Sequence, residues 1–169
     1  MKSNLWVKTL LYTYKYLNRI TDGIDQMVEK HAINSFYFCN SNLCDNSTMA
    51  IADKIIEMIE RKKRLINIKV LVDKSLLSCD RANAQILVER FIDDDSAEIV
   101  AKRRGINIRT FFRRQERAEN DFYSQMARLG YGVDMLEKYL ESEGWIIDVF
   151  ERFNKEEQGI LNDEMAMSV

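Results

Sequence analysis

The sequence predicts an all-α protein in which an N-terminal helical hairpin is followed by a helix-turn-helix and by C-terminal helices. Pro, the strongest helix breaker, is absent from the 169 residues. Apolar residues make up 46% of the chain, which is enough to form a core. They recur at the three- and four-residue spacings of amphipathic helices. We expect three parts, at residues 1–78, 79–129 and 130–169.

The first helix is predicted over residues 4–31, where one apolar stripe runs along the helix. Gly23 lies inside this helix. A stripe of this kind needs a partner helix, either in the same chain or in a second copy, so a homodimer through the N-terminal helices is one of two open alternatives. The stripe consists of Leu10, Tyr14, Leu17, Thr21, Ile24, Val28 and His31.

A loop is predicted over residues 32–46, where Asn, Ser and Asp are frequent. Its aromatic run, Phe36 to Phe38, is expected to pack against the core. Ser47 is the predicted N-cap of a second long helix that reaches about residue 73. Because consecutive helices usually pack antiparallel, the two long helices predict a hairpin. The second stripe consists of Ile51, Ile55, Met58, Leu65, Ile68 and Val72.

A shorter helix is predicted over residues 80–92, with Asp80 near its start. The acidic residues at 93–95 end it, and Asp95 or Ser96 caps the helix that follows. The chain becomes acidic after residue 118, since residues 119–169 carry four basic and twelve acidic side chains. One helix is expected to end near Leu129, a second to cover about 133–142, and a third to begin at Trp145. The last ten residues are expected to fray.

Residues 96–119 predict two helices joined by a tight turn. The first helix covers 96–104, the turn is formed by residues 105–107, and the second helix starts near Ile108. Gly105 can adopt the positive φ that such a turn requires, and Asn107 can cap the second helix. The helices are expected to meet through the small Ala101 and the apolar Val100, Ile106 and Phe111.

The same stretch holds the densest positive charge of the chain. Residues 96–118 carry seven basic and two acidic side chains, whereas the whole chain has a net charge of -2. Arg109, Arg113 and Arg117 recur every four residues and therefore share one helical face. A recognition helix presents such a face to the major groove, so the pattern predicts double-stranded DNA as a partner.

The residues AEIVAKRRGIN, followed by RT, Phe111, RR and the Arg117-Ala118 pair, resemble the region 4 DNA-binding module of sigma-70-family factors and of short sigma-like regulators from phages and Gram-positive bacteria. Upstream, AQILVERFIDDDSAE is similar to the helix and acidic turn that precede this module. The resemblance covers residues 80–122. It implies a sigma-like regulator and not a complete initiation factor, because no counterpart of the promoter-melting region is found. The resemblance also implies RNA polymerase as a further partner.

Two roles are expected for the site residues. Side chains at the start of the second helix face bases, and the remaining cations hold phosphates. The base-facing residues are Asn107, Ile108, Arg109, Thr110 and Arg113. The phosphate-binding residues are Lys102, Arg103, Arg114 and Arg117.

Little in the sequence points to an enzyme, a metal site or a cofactor. His31 is the only histidine, and its spacing from Cys39 and Cys44 fits no common zinc pattern. Lys8 and Lys15 interrupt the apolar N-terminus, and no run approaches the roughly 20 apolar residues of a membrane span. We therefore expect a cytoplasmic protein with reduced thiols and no membrane association. The alternative to DNA binding is a non-enzymatic helical module for protein interaction or assembly.

Overall fold

The computed structural model describes the backbone of residues 2–39 and 45–166, and the side chains of residues 2–34 and 49–159. Every regular element in these ranges is a helix, which confirms the all-α fold class. The elements are α1 (Lys2–Cys39), α2 (Asp45–Ser78), α3 (Arg81–Leu87), a π-helical turn (Val88–Ile92), α4 (Ala97–Arg103), α5 (Ile108–Arg128), α6 (Val133–Leu140) and α7 (Gly144–Ala166).

The chain forms two compact units. The hairpin unit consists of residues 16–70, and the main unit consists of residues 1–15 together with 71–169. Each of the long helices α1 and α2 contributes to both units. The domain boundaries predicted at residues 78 and 129 do not coincide with the ends of these units. The reason is that the first fifteen residues pack with helices from the far end of the chain.

In the hairpin unit, α1 and α2 run antiparallel. Lys69 donates to Asn18 at 2.8 Å, and Lys62 contacts both carboxylate oxygens of Asp25 at 2.5 and 2.6 Å. Leu17 and Ile24 are completely or almost completely buried between the helices. The partner helix of the predicted α1 stripe is therefore α2 of the same chain, and a homodimer through that stripe would first have to open the hairpin.

The prediction of a loop over residues 32–46 is wrong for most of that range. α1 continues to Cys39 and α2 already begins at Asp45, so Ser47 lies inside the helix and does not cap it. No Gly or Pro occurs between Gly23 and Gly105, and Asn and Ser alone carry only a modest propensity cost in a helix. The side chains of Phe36 to Phe38, Cys39 and Cys44 lie outside the described part of the chain.

In the main unit, the N-terminal turns of α1 pack against α7. The rings of Trp6 and Phe150 stack with their centroids 4.5 Å apart, and Tyr12 meets Phe153 edge-to-face at 5.7 Å. Aromatic pairs of this geometry stabilise a core beyond the area that they bury. α7 continues to Ala166, so the predicted fraying of the last ten residues is not observed for those that are described.

The helix predicted over 80–92 is present but changes type. Asp80, which was predicted near the start of this helix, caps α3 by accepting a hydrogen bond from the Ala82 N–H. After Leu87 the backbone widens into the π-helical turn, whose C-terminal side is closed by a bond from the Asp93 N–H to the Val88 carbonyl. The acidic stretch then leaves the helix, with Asp94 at a φ of 62°.

Candidate nucleic-acid interface

A hydrogen-bonded glycine turn joins α4 to α5. Gly105 has a φ of 63°, its N–H donates to the Lys102 carbonyl at 3.1 Å, and the Ile106 N–H donates to the Ala101 carbonyl at 3.0 Å. This pair of bonds satisfies carbonyls that the helix end would otherwise leave unpaired. A side chain at residue 105 would strain the backbone, so the turn depends on glycine.

Side-chain caps fix where the two helices begin. Ser96 Oγ accepts from the Ile99 N–H at 3.3 Å, so Ser96 is the cap of α4 and Asp95 is free for another role. Asn107 Oδ1 accepts from the Thr110 N–H at 2.7 Å and caps α5, as predicted. The predicted turn and the predicted helix starts are thus confirmed, whereas the use of this pair of helices as a DNA reader stays a prediction.

One side of α5 is buried against α3 and α4. Val100 and Phe111 are both fully buried and Ala101 nearly so, in the region where α4 packs against α5. Ile106 is half-buried. The buried stripe of α5 consists of Phe111, Gln115, Ala118, Glu119, Phe122 and Met126.

Two acidic side chains anchor the end of α4 from outside it. Arg104 donates through Nε and Nη2 to the two oxygens of Glu89, at 3.2 and 3.1 Å. Arg103 contacts Asp95 at 2.8 Å and Glu89 at 3.9 Å. A two-point contact between guanidinium and carboxylate also fixes orientation, so these bonds hold α4 and its turn relative to the π-helical turn.

The opposite side of α5 is basic and open to solvent. Arg109, Arg113 and Arg117 are exposed and lie away from the buried stripe. None of the three forms an ion pair or side-chain hydrogen bond with the described part of the chain, and the same holds for the exposed Lys102 and Arg114. We call these five residues the open cations. Glu116 is the acidic side chain that lies on this exposed face.

The other four predicted site residues have mixed surroundings. Ile108 is 40% exposed and Thr110 is half-buried in the first turn of α5. The Oδ1 atom of Asn107 is occupied by its capping bond, which leaves its Nδ2 group for a partner. Arg103 is already paired with Asp95, although its side chain remains 52% exposed.

Three features of this region were missed from the sequence. Glu89 and Asp95 were not assigned as partners of arginines, because Glu89 lies 15 residues from Arg104 and no local pattern links the two. Phe112 is 52% exposed in the turn of α5 that also carries Arg109 and Arg113. On a helical projection Phe112 lies at the border of the buried stripe and not on the arginine face, so the apolar pattern alone does not predict that it is exposed.

Two carboxyl groups of α5 have shifted pKa values. Burial raises the pKa of Glu119, while the positive charge of Lys8 and a 2.7 Å hydrogen bond from Gln115 act in the opposite direction. Burial acts to raise the pKa of Asp121 as well, but hydrogen bonds from Asn83, Gln125 and the Asp80 N–H outweigh it and lower that pKa. Asp121 thus connects the start of α3 to the middle of α5 as a charged acceptor.

Comparison of the chain with protein-family models, with curated proteins and with solved structures finds no match. Among the described residues, no helix is long and apolar enough to cross a membrane. The described residues also contain no cluster of three or more His, Cys, Asp or Glu side chains that could hold a metal ion.

Proposed function

We propose that this protein binds double-stranded DNA and regulates transcription, with the outer face of α5 lying in the major groove. The observation that supports this most is the row of Arg109, Arg113 and Arg117, which is exposed and lacks a partner within the described part of the chain. The major groove admits one α-helix, and arginine pairs with guanine N7 and O6 through two hydrogen bonds.

The row contrasts with three lysines of α1 in the main unit, which find carboxylates within the chain. Lysines on α1 form ion pairs with distant acidic residues at distances of 2.6 to 3.0 Å. The open cations instead keep all their hydrogen-bond donors for an outside acceptor. A polyanion is the partner that benefits most from several such donors on one face. The lysine pairs are Lys2–Glu137, Lys8–Glu157 and Lys15–Asp94.

Bases and phosphates would be contacted by different parts of this surface. Arg109 and Arg113, with Ile108 and Thr110, would face base edges near the N-terminus of α5. Lys102, Arg114 and Arg117 would bind phosphates on either side of the groove. Arg103 is the least suited of the predicted phosphate ligands, because Asp95 already accepts its hydrogen bond.

The rest of the chain would bind other proteins and not DNA. Residues 119–169 are strongly acidic and would be repelled by phosphates. The resemblance of residues 80–122 to sigma region 4 supports RNA polymerase as the protein that α6 and α7 contact. In this proposal the protein is cytoplasmic and is not an enzyme.

Selection of bound sequences from a random duplex pool tests the proposal. We expect the wild-type protein to enrich one short motif. Arg113→Ala should lose the preference at one position of that motif, at a cost of about 1–3 kcal/mol for the matched base. Lys155→Ala removes an exposed cation of α7 and serves as the matched control, so it should select the wild-type motif.

A protein-interaction or assembly module is the second candidate, and the exposed apolar residues of α2 favour it. It predicts that the wild-type protein enriches no motif and shows no salt-dependent retention of DNA. Either this result, or an unchanged motif with Arg113→Ala, would contradict base reading by α5.

A further inference from the structure

A row of apolar side chains on α2 of the hairpin unit is exposed to solvent. Met49 is 68% exposed, Ile56 is 54% exposed and Ile59 is 52% exposed, while Ile66 and Val70 are each 41% exposed. Scattered exposed apolar residues are normal on a soluble protein, but five large ones along one helix need an explanation.

The spacing of these residues is that of a coiled-coil seam. The intervals along the row alternate between three and four residues from Met49 to Val70, which is the heptad pattern of a helix that packs on another helix. We call this row the outer stripe of α2. It consists of Met49, Ala52, Ile56, Ile59, Lys63, Ile66 and Val70, all of which are exposed.

α1 does not cover the outer stripe. The residues of α2 that lie against α1 belong to a different row, in which Leu65 and Ile68 are fully buried and Lys62 is paired with Asp25. α2 is therefore apolar on two sides, and a unit of two helices can bury only one of them.

We propose that the outer stripe binds the outer stripe of a second copy of this chain, with the two α2 helices antiparallel. In this register Ile56 packs against Ile59 of the other copy, and Met49 packs against Ile66. Ala52, the smallest residue of the stripe, then lies opposite Lys63, its only charged residue. The stem of Lys63 has room to cross Ala52 and to carry its ammonium group to the edge.

Charge selects this arrangement over the parallel one. A parallel pair would stack Lys63 directly on Lys63 of the other copy, which is unfavourable in a buried seam. In the antiparallel pair, the ammonium group comes to the edge that carries Asp53 and Glu60. Both of these carboxylates are exposed and have no partner within the described part of the chain.

Sedimentation equilibrium of the full chain without DNA tests the proposal. At micromolar concentration the wild-type protein should sediment as a dimer, at twice the 19.9 kDa of the chain. Ile59→Asp should sediment as a monomer with an unchanged helical circular dichroism spectrum, because this residue is already exposed in the monomer. Gln26→Asp adds the same charge at an exposed position of α1 and should remain a dimer.

Disulfide cross-linking tests the orientation. Met49→Cys and Ile66→Cys would be made separately in chains with Cys39, Cys44 and Cys79 replaced by Ser. The antiparallel register predicts that air oxidation cross-links a mixture of the two variants but neither variant alone. A monomeric wild-type protein, an Ile59→Asp dimer, or cross-linking of each variant alone would overturn the proposal. None of these measurements depends on DNA binding, so the two proposals can fail separately.

Discussion

Gly105 determines the geometry between α4 and α5 through a single dihedral angle. Its φ of 63° lies in the left-handed region, and no atom within 4 Å would contact an added Cβ. The cost of a side chain there is therefore backbone strain and not a steric clash with a neighbour.

We expect Gly105→Ala to lower the free energy of unfolding by about 1 kcal/mol. Gly105→Asn should cost less, because Asn tolerates this conformation better. Urea denaturation followed by circular dichroism measures both. Gly23→Ala is the control of opposite sign, since Gly23 lies within α1 and should gain roughly 0.5–1 kcal/mol on replacement. Equal effects at the two positions would contradict this assignment of strain.

The sequence predicts the role of a single residue well where that role depends only on the neighbouring backbone. The cap by Asn107 and the turn at Gly105 follow from the preference of one residue type for one backbone position. The contact between Arg104 and Glu89 was not predictable in this way. It depends on how the π-helical turn and α4 pack, and the sequence offers several acidic residues at similar distances along the chain.

At the scale of helices, the sequence predicted the longest amphipathic helices correctly but misplaced the end of α1 and the start of α2. The antiparallel pairing of α1 and α2 followed from their two apolar stripes. The predicted end of α1 is wrong because an Asn- and Ser-rich composition favours a loop only weakly, and no Gly or Pro interrupts the helix there. The widening into a π-helical turn after Leu87 leaves no mark in the apolar pattern and could not be predicted.

The contact between α3 and α5 makes a prediction about pH. Asp121 accepts hydrogen bonds from Asn83 at 2.8 Å, and from Gln125 and the Asp80 N–H at 3.1 Å. Since the folded pKa of Asp121 is lowered, its stabilising effect is present above the ordinary pKa of 3.8. The effect is lost as the pH falls through the folded pKa.

Asp121→Asn should therefore destabilise the protein by about 1 kcal/mol at neutral pH, and the difference from wild type should shrink at pH values below the ordinary pKa of Asp. Denaturant titrations of both proteins at neutral and acidic pH measure this difference. Asp148→Asn, at an exposed position of α7, should change little at either pH. A destabilisation by Asp121→Asn that stays constant down to acidic pH would show that the carboxylate charge is not involved.

At the scale of the whole molecule, charge and apolar surface are separated along the chain. The basic surface lies on α4 and α5, the acidic residues follow it, and the outer stripe of α2 lies in the hairpin unit. The sequence predicted the basic surface because arginines recur at a helical period. It did not predict the outer stripe, because the buried stripe of α2 accounted for the helix and concealed a second, independent row.

DNA binding as a function of salt concentration tests the central claim most directly. The affinity for a labelled duplex would be measured by fluorescence anisotropy for wild type, for the triple variant Arg109→Gln, Arg113→Gln and Arg117→Gln, and for a control with Lys30, Lys54 and Lys155 replaced by Gln. Both variants remove three positive charges, and all six positions are exposed.

We expect wild type and control to share a steep dependence of log K on log salt. The arginine variant should bind weakly, and the slope of this dependence should fall by about 0.9 for each phosphate that the protein no longer neutralises. Wild-type protein that does not bind DNA at low salt, or equally weakened binding by the two variants, would contradict the claim that the arginine face of α5 binds DNA.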